Sequence, residues 1–208
     1  MELELGQRHA WEALAVVLGV AYLLLAMRES LWCWHAAFWS TSIYLFLFWD
    51  ADLPMESGLQ VYYLAMAVYG WWHWRRGAGA AGETLPVRTW PWHNHLLAVA
   101  LLLGATALSG GLLSAAGLGR LPYLDSFATW GAVLTTWMVA QKLLENWLYW
   151  LVVDSVSLYL YLDRGLYLTA LLFVVYLVIV VFGYFQWRRH YREQAAASPP
   201  ARAGRAAR

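Results

Sequence analysis

The chain has 208 residues, 62% of them hydrophobic and only 13% charged, with a formal net charge of +1 and a mean hydropathy of +0.47. Soluble domains carry roughly 25% charged residues, so this balance excludes an ordinary water-soluble domain and points to a polytopic membrane protein. The net charge itself says little about partners, because the positive charges are very unevenly placed, and no nucleic-acid partner is expected.

The N-terminal stretch 1–9 carries Glu2 and Glu4, lacks a basic leader, and does not read as a cleaved signal peptide. Seven apolar segments follow, at roughly 10–27, 31–49, 58–75, 95–114, 123–141, 145–162 and 166–188. Each comes close to the ~20 residues that a helix needs to span a bilayer, and helices are the spanning form for a chain without strand alternation. The connections are short except Gly77–Asn94, a Gly/Ala/Pro stretch that reads as a loop. The end of the chain, Gln194–Arg208, is rich in Ala, Pro and Arg and reads as a disordered tail. Fifteen Trp and thirteen Tyr suit interfacial belts and a ligand cavity better than a soluble core. The single cysteine, Cys33, sits in an apolar segment and reads as a buried, inert thiol.

The chain repeats itself. Tyr69-Gly70-Trp71-Trp72-His73-Trp74-Arg75-Arg76 returns 113 positions later as Phe182-Gly183-Tyr184-Phe185-Gln186-Trp187-Arg188-Arg189. In the same register Trp34 matches Trp147, Ser42 matches Ser155, Asp50 matches Asp163, Tyr63 matches Tyr176, and Glu12 falls opposite Asp125. Internal repeats in apolar chains mark transporters, with the substrate site at the repeat interface near the bilayer midplane. Three helices per copy would invert a second copy placed directly after the first. The bland fourth segment therefore reads as a linker that restores the orientation. The expected architecture is all-α, seven helices in a 3+1+3 arrangement of parallel repeats: 10–75, a loop and linker over 76–122, 123–190, and a cytoplasmic tail over 191–208. Arg8, Arg120 and Arg164 fall on one side of the membrane and the other eleven Lys and Arg on the opposite side. That asymmetry puts the C-terminus in the cytoplasm and the N-terminus outside.

On the third helix Gln60, Tyr63, Ala67, Gly70 and Trp74 share one face, matched by Tyr176, Val180, Gly183 and Trp187 on the seventh. Small residues there allow backbones to approach. Trp74 and Trp187, beside Arg pairs, read as interfacial anchors, whereas the intramembrane amide of Gln60 reads as cavity lining. The sixth helix carries Asn146, Trp147, Trp150, Asp154, Ser157 and Tyr161 along one stripe. A carboxylate half-way through a span costs on the order of 2.5–3.5 kcal/mol and marks a functional-site candidate. Asp154 has two readings: a structural hydrogen bond to Thr41 or Ser42, or a ligand contact in a wet cavity. The candidate substrate-binding set is Gln60, Tyr63, Asn146, Trp147, Trp150, Asp154 and Tyr176, with the two tryptophans stacking on a ring. Lys142 and Glu145 read as a solvated pair. His93 and His95, in a loop without a third ligand, read as interfacial residues rather than a metal site. No catalytic motif is present, and nothing calls for a cofactor.

These residues resemble a known family. Gln60-Val-Tyr-Tyr, the Tyr69–Trp74 signature, Lys142–Asp154 (KLLENWLYWLVVD), Gly165–Ala170 and Gly183–Trp187 are similar in order and spacing to the PnuC family of bacterial vitamin transporters, related in fold to the SWEET sugar transporters. The resemblance covers about residues 10–190. It implies a bacterial inner-membrane carrier, not an enzyme, that takes up nicotinamide riboside by facilitated diffusion. A separate cytosolic kinase would trap the substrate by phosphorylation and feed NAD biosynthesis. Relatives that carry thiamine, riboflavin or deoxynucleosides are the alternatives, as is proton-coupled symport through Asp154. Trp faces attract a flat cation by about 0.5–2 kcal/mol each, which favours nicotinamide riboside or thiamine over neutral riboflavin. Whether the protein forms a homo-oligomer is left open by the sequence.

Overall fold

The computed structural model describes residues 5–50, 54–77 and 85–197. Seven helices follow one another: α1 (Leu5–Met27), α2 (Trp32–Asp50), α3 (Pro54–Arg76), α4 (Trp92–Ala115), α5 (Pro122–Ala140), α6 (Asn146–Asp163) and α7 (Tyr167–Ala197). Three of them, over Arg8–Met27, Trp92–Ala115 and Tyr167–Ala197, are long and apolar enough to cross a membrane by length and composition alone. The other four, of 18 to 23 residues, devote many positions to Trp, Tyr, Ser and Thr, which lowers their hydropathy.

Helix α2 packs between α1 and α3, and α6 packs between α5 and α7, while α4 lies against α5. The two triplets meet through α1 with α7 and through α3 with α5. Under the 113-residue offset these two junctions are the same contact, so a pseudo-twofold axis runs between the triplets. Helices α1, α3, α5 and α7 end on one face, called here the C-terminal face, and begin near the other.

Three boundaries differ from the sequence reading. Helix α1 begins at Leu5, inside the expected N-terminal segment. Helix α7 runs on to Ala197, into the expected tail, because this stretch holds good helix formers and an Arg189–Glu193 pair at i,i+4; residues 198–208 lie outside the described part. The segment before α4 is no plain loop. Leu85 and Val87 are buried, and Arg88 forms a short parallel pairing with the α5–α6 turn, its N–H donating to Lys142 O (3.0 Å) and its carbonyl accepting from Leu144 N–H (2.8 Å). His93 and His95 accordingly sit in the first turn of α4. His95 Nδ1 is 3.0 Å from the Tyr149 hydroxyl, and among the described residues no group of His, Cys, Asp and Glu could hold a metal.

Four helices end in the same way. After α1, α4, α5 and α6 the chain turns through a left-handed residue, with the next N–H reaching back five residues: Ser30 to Leu25 O, Leu118 to Leu113 O, Leu143 to Met138 O and Leu166 to Tyr161 O. Glycine normally takes this place because a Cβ is penalised there. Gly117 (φ +67°) and Gly165 (φ +72°) follow the rule. Glu29 (φ 57°) and Lys142 (φ 55°) do not, and each accepts a cost of order 1–2 kcal/mol.

Candidate functional site

A cavity of about 370 Å³ lies between the triplets. Seven aromatic residues stand in its wall: Tyr22 from α1, Trp34 from α2, Tyr63 from α3, Trp150 and Tyr161 from α6, and Phe173 and Tyr176 from α7. Polar groups are few and come from Ser40, Thr41, Thr129, Thr136, Asp154 and Ser157. Asp154 is only 4% exposed. Among the described residues no hydrogen bond or ion pair engages its carboxylate, and Ser42 instead donates to its own helix at Phe38 O (2.8 Å). A buried carboxylate lining a cavity without a protein partner is poised to take a cation or a hydroxyl from a ligand.

Of the seven candidate residues, Tyr63, Trp150, Asp154 and Tyr176 line this cavity. Gln60 does not; it is half-buried on α3, and Leu59 lines in its place. Asn146 is fully buried nearer the C-terminal face, its amide donating to Leu143 O (2.6 Å). Trp147 is likewise beneath the cavity, its ring packed over Gly183. The indole that does reach the wall is its repeat equivalent, Trp34. Tyr22 and Trp34 lie outside the candidate set, although the Trp34–Trp147 match is a signal in the sequence that points to Trp34.

Four tryptophans close the cavity toward the C-terminal face. Trp34 meets Trp74 edge to face (5.3 Å, 86°), Trp147 meets Trp187 in the same way (5.4 Å, 87°), and Trp74 and Trp187 meet at the axis (6.0 Å). Trp74 and Trp187 are therefore not interfacial anchors: both are completely buried. Each donates its indole N–H across the axis to helix-end carbonyls of the other triplet, Trp74 to Val139 O (3.2 Å) and Ala140 O (3.1 Å), Trp187 to Ala26 O (3.0 Å). Helix ends leave their last carbonyls without intrahelical donors, and these indoles supply them. Gly70 and Gly183 make the layer possible, since a Cβ there would lie 2.4 Å from Trp34 and 2.6 Å from Trp147.

Behind the tryptophans sits an ion pair across the axis. Lys142 is not solvated and does not pair with Glu145; it is fully buried, 2.6 Å from Glu29, with its ammonium 4.9 Å from the Trp74 ring centre. Burial pushes the Lys142 ammonium below the ordinary lysine range, and the Glu29 carboxylate opposes that shift. The second Glu29 oxygen lies 2.5 Å from His190 Nδ1. Glu145 instead accepts from Trp90 N–H at 3.2 Å. On the opposite face the ion pairs stay within a triplet: Arg8 with Asp50, Arg164 with Asp125, and Arg120 with Asp163 at 3.3 Å.

Comparison with known proteins agrees with this architecture. A family model described as nicotinamide mononucleotide transporter matches residues 9–189. The riboflavin/roseoflavin transporter RibM of Streptomyces davaonensis is 29% identical over 82% of this chain and 81% of its own length. The nicotinamide riboside transporter PnuC of Escherichia coli is 23% identical over 92% of this chain and 90% of its own. The crystal structure of the vitamin B3 transporter PnuC superimposes with a TM-score of 0.71 at 20% identity, covering 88% of this chain and 82% of that one. Helices, aromatic cavity and matched sequence together place it: the chain belongs to the nicotinamide mononucleotide transporter family.

Proposed function

We propose that the protein imports nicotinamide riboside by facilitated diffusion across a bacterial inner membrane, with its N-terminus outside and its C-terminus in the cytoplasm. The observation that carries this reading is Asp154, a buried carboxylate in an aromatic cavity, with no protein partner among the described residues. A flat pyridinium is drawn to indole and phenol faces, and its charge or the ribose hydroxyls answer the carboxylate. The cavity volume falls within the ~300–1,000 Å³ typical of small-molecule sites. Release into the cytoplasm proceeds by mass action, made one-way by a kinase that phosphorylates the free nucleoside. The distribution of Lys and Arg supports the orientation.

Riboflavin is the second reading, favoured by the higher identity to RibM. Uptake of labelled nicotinamide riboside, thiamine, riboflavin and a deoxynucleoside by cells lacking their own carriers separates the two. Saturable uptake of nicotinamide riboside, competed by excess unlabelled compound, is the expected outcome. Riboflavin uptake with no nicotinamide riboside uptake would overturn the proposal.

A further inference from the structure

Glu29 and Lys142 are repeat equivalents, 113 positions apart, that meet each other across the pseudo-twofold axis. Both stand at the left-handed turn residue where α4 and α6 use glycine. The chain thus places glycine at this position where no side chain is needed, and accepts a strained Glu and Lys at the two sites where side chains meet. The turns also touch the tryptophan layer directly. Ala26 O accepts both from Glu29 N–H (2.9 Å) and from Trp187, and Val139 O accepts both from Lys142 N–H (2.9 Å) and from Trp74. On the other face no Arg–Asp pair among the described residues joins the halves: Arg8–Asp50 stays in the first, and Arg164–Asp125 and Arg120–Asp163 stay in the second. Among the described residues, the charged contacts that tie the two triplets together, Glu29 with Lys142 and with His190, are therefore at the C-terminal face, below the cavity.

We propose that Glu29–Lys142 is the bolt of a gate on the C-terminal face, which must part for a substrate to leave the cavity on that side. The inference rests on the carrier reading, because only a carrier must open alternately to both sides. Parting the pair withdraws the two turns from the axis. Through the shared carbonyls, it also loosens the donor sites of Trp74 and Trp187, so bolt and tryptophan layer open as a unit. Glu29 and Lys142 act on the gate and not on the substrate, for neither lines the cavity. His190 breaks the symmetry: its repeat equivalent is Gly77, so Glu29 has an imidazole beside it and Lys142 has none at the matching place.

The test reads the gate without any substrate. A cysteine replaces Thr136, which lines the cavity, in a Cys33→Ala background, and its labelling by a membrane-impermeant maleimide is timed in right-side-out and inside-out vesicles. Glu29→Gln is expected to raise labelling from the C-terminal face about tenfold and to lower it from the other, since loss of one state's contact shifts the population toward the alternative. Because the two positions are equivalent, the exchanged pair Glu29→Lys with Lys142→Glu is expected to restore parental labelling. His190→Gln is included in that variant so that the new lysine does not face an imidazole. Glu29→Gly with Lys142→Gly removes both charges together with both backbone strains, and must open the gate as well; it serves where single variants fail to fold. Parental labelling in Glu29→Gln or in the double glycine variant, or an exchanged pair that stays open, overturns the bolt. The labelling depends on no particular vitamin, so a failed uptake panel would sink the carrier reading separately.

Discussion

Gly70→Ala and Gly183→Ala are the same perturbation applied to two halves of one layer, with different expected consequences. A Cβ at 70 would sit 2.4 Å from Trp34, and one at 183 would sit 2.6 Å from Trp147. Carbon atoms pack best at about 3.5–4.0 Å, so each ring has to retreat by roughly 1 Å. Trp74 and Trp187 stand against them at 5.3 and 5.4 Å between ring centres, so Trp147 has no room and Trp34 can give way only into the cavity it lines. Overpacking of this kind costs about 1–3 kcal/mol, and the better helix propensity of Ala returns about 0.8–1 kcal/mol. Both variants should therefore lose up to about 2 kcal/mol of stability, visible as a lowered unfolding midpoint in detergent. Only Trp34 belongs to the cavity wall. Gly70→Ala should in addition weaken competition for labelled substrate about tenfold, the equivalent of about 1.4 kcal/mol, while Gly183→Ala should leave it within about twofold. Equal losses of affinity in the two variants, or raised stability in both, would refute the placement of the layer.

Trp150→Ala should reduce affinity for a cationic substrate with little loss of folded protein. Trp147→Ala should lower the yield and unfolding midpoint by removing a buried ring worth about 3–5 kcal/mol; the reverse pattern in a paired binding and thermal-unfolding experiment would exchange their roles. Asp154→Asn should insert normally and weaken nicotinamide riboside more than its uncharged reduced analogue, and an equal effect on both would argue against a charge contact. Purified protein in liposomes should equilibrate substrate without concentrating it. Accumulation driven by an imposed proton or sodium gradient and abolished by an ionophore would make Asp154 a coupling site instead.

Seven helices and two copies were legible in the sequence because hydropathy and register are local properties of the chain. The stripe Asn146–Tyr161 was legible too, but not where along it the cavity ends. Fifteen residues of helix rise about 22 Å, and periodicity assigns a face to all of it without assigning depth. Trp150, Asp154, Ser157 and Tyr161 reach the cavity, while Asn146 and Trp147 fall below it. Trp74 and Trp187 were misread because a tryptophan next to two arginines looks the same whether its ring meets lipid headgroups or another ring. The glycine one turn earlier in each copy was the discriminating sign, since a belt residue needs no clearance for a neighbour. Glu29 and Lys142 sit in separate turns, and Glu145 looked the nearer partner for the lysine. The separation of Glu29 and Lys142 is nonetheless the repeat offset itself, and a symmetry axis brings such positions face to face.

That last contact bears on how the two halves depend on one another. In an isologous dimer, a residue lying on the twofold meets its own copy. Two copies of the first half would set Glu29 against Glu29, and two copies of the second would set Lys142 against Lys142, burying like charges in either case. The tryptophans carry no such restriction, for Trp74 against Trp74 is as good a partnership as Trp74 against Trp187. The aromatic layer is thus compatible with an assembly of identical subunits, whereas the ion pair exists only because both halves occupy one polypeptide and were free to become unlike. Joining the halves made available an opposite-charge contact at the one place where identical subunits cannot form it.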